Sequence, residues 1–229
     1  MCTYTAVAYH SCSKILPYLH SMSGDDVIRQ FVAGMQQTTW PEYLAVFAGI
    51  ASVAFSRAEN IWVFPTGILN TVVYVYLSFH GGLYAEAGLN IYYTVMNMIG
   101  WYMWAQRKTT GEKVLHITPS NRRDWLLACS FFALMWLLLY TILRRFTNSA
   151  VPAADAFASA TAYTAMLLMN KKKIENWLWW IITNIVSIPL YFIKGYVFTS
   201  VQFTVLLVLA IAGWVTWYKK QHQTQPEPV

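Results

Sequence analysis

Residues 198–218 read FTSVQFTVLLVLAIAGWVTWY, a run without one charged side chain, closed by Lys219 and Lys220. A helix needs about 20 mostly apolar residues to cross a hydrocarbon core about 30 Å thick. The run is therefore expected to span a membrane, with Trp214, Trp217 and Tyr218 as interfacial anchors and the two lysines beyond the lipid.

Six more blocks of similar character precede it, at about 42–56, 61–79, 85–105, 124–144, 153–169 and 174–193. Over the 229 residues 57% are hydrophobic and only 11% charged, against about 25% charged in soluble domains. A transmembrane β-barrel would show alternating polarity in segments of about ten residues, and none is visible. The fold class expected is all-α integral membrane, with seven transmembrane helices. The first and fifth blocks are rich in small residues (Ala45, Ala48, Gly49; Ala156, Ala158, Ala160), which permit close packing in lipid, so these two are expected as inner helices.

Outside the spans, residues 1–40 form an N-terminal interfacial segment. Val27, Ile28, Phe31, Val32 and Met35 recur there at helical spacing opposite Asp25, Asp26, Arg29 and Gln36, the pattern of an amphipathic helix lying on a bilayer. No apolar core follows a basic start, so a cleaved leader is not expected. The tail, 219–229, is short and polar and is expected to be disordered.

The net charge of +6 does not point to nucleic acid, because the basic residues sit at the ends of the apolar blocks. With seven spans, the side shared with the C-terminus carries Arg57, Arg107, Lys108, Lys113, Arg122, Arg123, Lys171, Lys172, Lys173, Lys219 and Lys220; the other carries Lys14, Arg29, Arg144, Arg145 and Lys194. The positive-inside bias then places the C-terminus in the cytoplasm and the N-terminus outside. Cys2, Cys12 and Cys129 have no metal or redox spacing, so neither a metal site nor a cofactor is expected.

The end of the last span also has a counterpart. Gly213-Trp214-x-x-Trp217 follows Gly100-Trp101-x-x-Trp104 by 113 residues, and Gly195 follows Gly82 by the same interval; Glu59-Asn60 is matched by Glu175-Asn176 with a small gap. Two parallel three-helix repeats are expected, 41–106 and 151–218, joined by a linker loop and helix at 107–150. Parallel repeats place substrate between them near the bilayer midplane. Pro65 and Pro189, in the second span of each repeat, suit a hinge between the halves.

Polar residues at membrane depth are costly unless they face protein or a cavity. At 100° per residue, Trp177, Trp180, Asn184 and Tyr191 share one face, from which Trp179 points away. Asn90, Tyr93, Asn97, Trp101 and Trp104 form a second stripe, and Thr66, Asn70 and Tyr74 a third. Taken singly, each also suits interhelical hydrogen bonding, worth about 0.6–2 kcal/mol. Together they offer aromatic faces beside neutral amides and hydroxyls, which fits a planar ring bearing sugar hydroxyls or a carboxamide. A cationic ring would add cation–π attraction of about 0.5–2 kcal/mol. The five histidines fall outside the spans, Glu59, Glu86, Asp155 and Glu175 sit near span ends, and a P-loop is absent. Facilitated diffusion is expected rather than proton symport or ATP-driven transport, and no catalytic constellation is present.

Trp177-Leu-Trp-Trp180-Ile-Ile-Thr-Asn184 after Glu175-Asn176 resembles the W-x-x-W-x-x-x-N signature of the PnuC nicotinamide riboside transporters, and Asn97 with Gly100-Trp101-Tyr102-x-Trp104 is similar to the end of their third core helix. The similarity runs from Glu42 to Trp217. It implies a SWEET-like fold, a homotrimer in the inner membrane, and uptake of nicotinamide riboside drawn on by a cytoplasmic kinase. It makes Trp177, Trp180 and Asn184 substrate contacts. Asn97, Asn90, Tyr93, Asn70, Tyr74 and Tyr191 join them from the stripes; Asn90 stands where close relatives are expected to have Gln. A carrier of another vitamin, such as thiamine, and a SWEET-like sugar carrier are the alternatives.

Overall fold

The computed structural model describes residues 24–81, 84–147 and 151–224, and every regular element among them is a helix. In chain order these are α1 (Gly24–Gln37), α2 (Trp40–Arg57), α3 (Val63–His80), α4 (Tyr84–Ala105), α5 (Arg122–Phe146), α6 (Pro152–Asn170), α7 (Asn176–Ile193) and α8 (Val197–Thr224). By length and composition, α5, α7 and α8 can cross a membrane. In α2, α3, α4 and α6 the apolar character is diluted by Gly, Asn, Thr and Tyr, residues tolerated at depth where they face protein. Every residue of α6 from Ala160 to Met166 is buried, as its small side chains led us to expect. α2 is less enclosed, with Leu44 and Phe47 exposed.

Within each half the middle helix carries the packing: α3 lies against α2 and α4, and α7 against α6 and α8. The halves meet where α2 touches α8 and α4 touches α6; α5 packs on α6, and α1 on α8. Helix bounds in the two halves keep step. α3 and α7 start and end 113 residues apart, α2 and α6 end 113 apart, and α4 and α8 start 113 apart.

The interval holds through the turns as well. α2 ends with Glu59 N–H bonded to Ser56 O and Asn60 N–H to Phe55 O, while α6 ends with Lys172 N–H on Met169 O and Lys173 N–H on Leu168 O. Both are Schellman closures, whose left-handed residue is usually Gly; here it is Glu59 (φ 59°) and Lys172 (φ 53°). The structural counterpart of Glu59 is therefore Lys172, without a gap, rather than Glu175.

Two other expectations change. The tail is helical through Thr224, since Lys219–Gln223 are adequate helix formers and Lys220 Nζ reaches Ala58 O at 3.3 Å. Pro65 lies in the first turn of α3, where its missing N–H costs nothing. Pro189 lies inside α7, so the two prolines are not matched hinges. α1 forms where the amphipathic pattern placed it and docks Phe31 on Phe198, ring centroids 5.6 Å apart, leaving Ile28 and Val32 exposed; residues 1–23 lie outside the described residues.

Candidate functional site

Two indoles tie the halves together. Trp104 Nε1 donates to Asn170 O at 3.2 Å, and Trp217 Nε1 donates to Ser56 O at 3.1 Å. Each repeat-end Trp thus caps the C-terminus of the first helix in the opposite half, meeting carbonyls that a helix end leaves without an intrahelical partner. Around them Val63, Phe64, Met96, Met166, Met169, Ile174, Trp177 and Ala210 form a buried core.

Trp177 belongs to that core. It is 1% exposed, lies edge-to-face with Trp217 at 5.6 Å, and presses on Gly213, where a Cβ would come 2.5 Å from its ring. Neither face of its indole is open in this conformation. At the equivalent place in the first half Phe64 presses on Gly100. Trp180 is half-buried between this core and a second one formed by Ala128, Ala165, Leu168 and Trp179.

Further along the same face of α7, Asn184 is 3% exposed and its amide has no hydrogen-bond partner among the described residues. Tyr191, also on α7, stacks on Phe203 at 5.1 Å.

The stripe on α4 divides. Tyr93 packs edge-to-face with Tyr163 of α6 at 5.2 Å, so α4 and α6 bring these two tyrosines together. Asn97, 4% exposed, donates to its own helix at Tyr93 O (2.9 Å), with its amide against Gly67 of α3. Asn90 is half-buried, one turn before Thr94, whose hydroxyl bonds its carbonyl. On α3, Asn70 Nδ2 donates to Ala45 O of α2 at 2.7 Å and the side chain covers Gly49. That is interhelical bonding within one half. Tyr74 is half-buried on the same helix.

Residues not anticipated from the sequence also belong here. Tyr163, 4% exposed, packs on Tyr92 at 4.0 Å as well as on Tyr93; its signal was an aromatic ring in an otherwise small-residue run. Thr183 bonds Thr161 at 2.9 Å beside Asn184. The Trp177 Nε1 and Tyr92 OH groups are buried and have no hydrogen-bond partner among the described residues. No group of three His, Cys, Asp or Glu that would hold a metal occurs among the described residues.

This geometry is met in a chain whose residues 39–219 match the family described as Nicotinamide mononucleotide transporter. The chain belongs to that family. The nicotinamide riboside transporter PnuC of Escherichia coli (strain K12) is 23% identical over 209 residues, covering 81% of this chain and 87% of the relative. PnuC of Neisseria mucosa is 25% identical over 200 residues, covering 82% and 76%. The riboflavin/roseoflavin transporter RibM of Streptomyces davaonensis is 23% identical over 197 residues, covering 84% and 91%. The crystal structure of the vitamin B3 transporter PnuC has a TM-score of 0.68 at 21% identity, covering 97% of this chain and 95% of that one. The family is one of membrane transporters, and the all-helical fold agrees with that structure.

Proposed function

We propose that this protein carries nicotinamide riboside across the cytoplasmic membrane by facilitated diffusion. The observation that carries the reading is the Trp180–Asn184 face of α7. There Asn184, 3% exposed and without a hydrogen-bond partner among the described residues, stands beside an indole, in a family whose relatives in Escherichia coli and Neisseria mucosa are named for this substrate. The ring would stack on Trp180, and on Trp177 once the inter-half core loosens. Asn184, with Asn97 and Asn90, would meet the carboxamide or ribose hydroxyls, while Tyr93 and Tyr191 would close the pocket from α4 and α7. Asn70 and Tyr74 would support α3.

In this reading α2–α8 are the seven spans, α2–α4 and α6–α8 are the parallel repeats, and α5 is the linker of a SWEET-like fold. The 113-residue step in helix bounds supports the repeat. The protein would act as a homotrimer, with the N-terminus outside and the C-terminus in the cytoplasm. The end bearing Glu59, Lys172 and Lys220 would then be cytoplasmic, and a kinase on that side would draw substrate inward by phosphorylating it.

The similarity to RibM, at the same identity as PnuC of Escherichia coli, supports a second reading in which riboflavin is the cargo. The close packing around Trp177 favours the smaller pyridine ring.

Radiolabelled nicotinamide riboside should enter proteoliposomes containing the protein without a pH or ion gradient. Uptake should be competed by unlabelled riboside and not by thiamine, riboflavin or glucose. Uptake of riboflavin, thiamine or glucose in place of the riboside would keep the transport class and overturn the substrate. Dependence on a proton gradient would overturn facilitated diffusion.

A further inference from the structure

The turn after α2, the turn after α6 and the start of the α4–α5 loop enclose a cleft of about 330 Å³. Its walls include Glu59, Trp104, Arg107, Lys113 and Lys172, and its size is at the lower end of small-ligand pockets, about 300–1,000 Å³. Its charge is unbalanced. Lys172 Nζ meets Glu59 Oε1 at 2.6 Å, Lys220 Nζ meets Glu59 Oε2 at 3.5 Å, and Lys113 Nζ stays 4.0 Å away. One carboxylate thus serves three lysines, with Arg107 as a fourth cation on the wall.

Two of these cations are also held face to face. The loop folds back at Gly111, with Lys108 N–H on Glu112 O at 2.8 Å, and pairs Arg107 directly opposite Lys113 across an antiparallel bridge. Like charges directly opposite are destabilising. Arg107 spends Nη1 on the carbonyls of Trp104 and Gln106, both at 3.3 Å, which orients the guanidinium. Its other N–H groups, and the Lys113 ammonium, make no hydrogen bond to another described residue.

We infer that this cleft binds a phosphate-bearing anion between Arg107 and Lys113. A guanidinium fork and ammonium groups match phosphate oxygens, and an anion between Arg107 and Lys113 relieves their repulsion. Resting on the function proposed above, the soluble source is the phosphorylated product, a nucleoside monophosphate on the cytoplasmic side. The loop that bears both cations also reaches the second half, where Leu115 O accepts from Lys172 at 3.1 Å, so a phosphate that fastens the loop holds this end shut and slows entry as product accumulates. A phospholipid headgroup offers the same chemistry.

The test is calorimetry on the full-length protein in neutral-lipid nanodiscs, titrated with nicotinamide mononucleotide, with inorganic phosphate, and separately with nicotinamide riboside. The comparison is an Arg107→Gln/Lys113→Gln variant, with parallel discs containing phosphatidylglycerol. Nicotinamide mononucleotide should bind the wild type, weaken with added salt, and bind the variant at least tenfold more weakly, while riboside binding is unchanged. Phosphatidylglycerol binding that the variant loses, without mononucleotide binding, assigns the site to a headgroup and overturns the feedback step. Equal binding of the mononucleotide to wild type and variant, or one-for-one competition between mononucleotide and riboside, overturns the site. Failure of the wild type to bind riboside counts against the proposed function alone, because the anion titration and the melting curve of each protein are read independently.

Discussion

Glu59 and Lys172 occupy the same left-handed helix-ending position in the two halves, 113 residues apart, and form an ion pair with each other at 2.6 Å. Each accepts a backbone conformation that costs a non-Gly residue about 1–2 kcal/mol. Each gains a partner across the junction. Lys172 is 1% exposed, and a charge that deep depends on its counter-charge and on the Leu115 carbonyl, 3.1 Å from Nζ.

Glu59→Gln should therefore destabilise the protein by about 3–5 kcal/mol, the range for leaving a buried charge unpaired. Adding Lys172→Gln should recover a large part, because the double variant has no ion left to satisfy. Thermal unfolding in detergent measures both. Additive losses in the double variant would mean that the two residues act independently.

The same pair sets a pH dependence. Partial burial opposes charge on Glu59, but the Lys172 ammonium, with Lys113 and Lys220 behind it, holds the carboxyl below its ordinary value of 4.5. A carboxyl lowered by folding contributes stability that is fully present above its unfolded pKa and is lost as pH falls through the folded one. Melting temperature should be level from pH 7 to about 5 and fall below pH 4.5. The difference between wild type and Glu59→Gln should shrink over that lower window. A difference that stays constant to pH 3 would remove Glu59 as its source.

The helix–glycine contacts give a paired test. Gly213 lies under Trp177 and Gly100 under Phe64 and Asn170, so a methyl at either position meets a buried ring. Gly213→Ala and Gly100→Ala should each cost about 1–3 kcal/mol as overpacking, read as a drop in melting temperature. A neutral result at Gly213 would show that Trp177 can yield, which would make it available to a ligand more easily than its burial indicates.

The features legible in the sequence were those with a local physical cause. The Gly-x-x-x-Trp ends of α4 and α8 stood out because the same two contacts recur in both halves: a glycine under a ring and an indole donating to a helix end. Identity pairs Glu59 with Glu175, whereas the two halves meet at that place through the opposite charges of Glu59 and Lys172. Helical periodicity gave the faces of Asn70, Asn97 and Asn184 but not what lies across from each. Asn70 finds a neighbouring carbonyl and Asn97 its own helix, while Asn184 finds no partner among the described residues. Tyr163 was hidden because its partners, Tyr92 and Tyr93, lie about 70 residues away in the chain.

That division among the asparagines separates ligand contact from structural bonding. Asn70→Ala breaks the 2.7 Å bond to Ala45 O and should cost about 1 kcal/mol of stability, leaving riboside affinity unchanged. Asn184→Ala removes an amide that bonds nothing among the described residues, so melting temperature should hold within a degree or two. Riboside affinity should fall about tenfold, equivalent to about 1.4 kcal/mol. Trp180→Ala should weaken binding similarly, with a moderate loss of stability because the ring is only half-buried. Trp177→Ala is the poorer probe, since emptying a fully buried site costs about 3–5 kcal/mol before any ligand is added. Calorimetry and melting curves on these variants decide the matter. If Asn184→Ala loses stability and keeps its affinity, the substrate does not sit on this face of α7, and the packed tyrosines of α4 and α6 (Tyr92, Tyr93 and Tyr163) are where it binds instead.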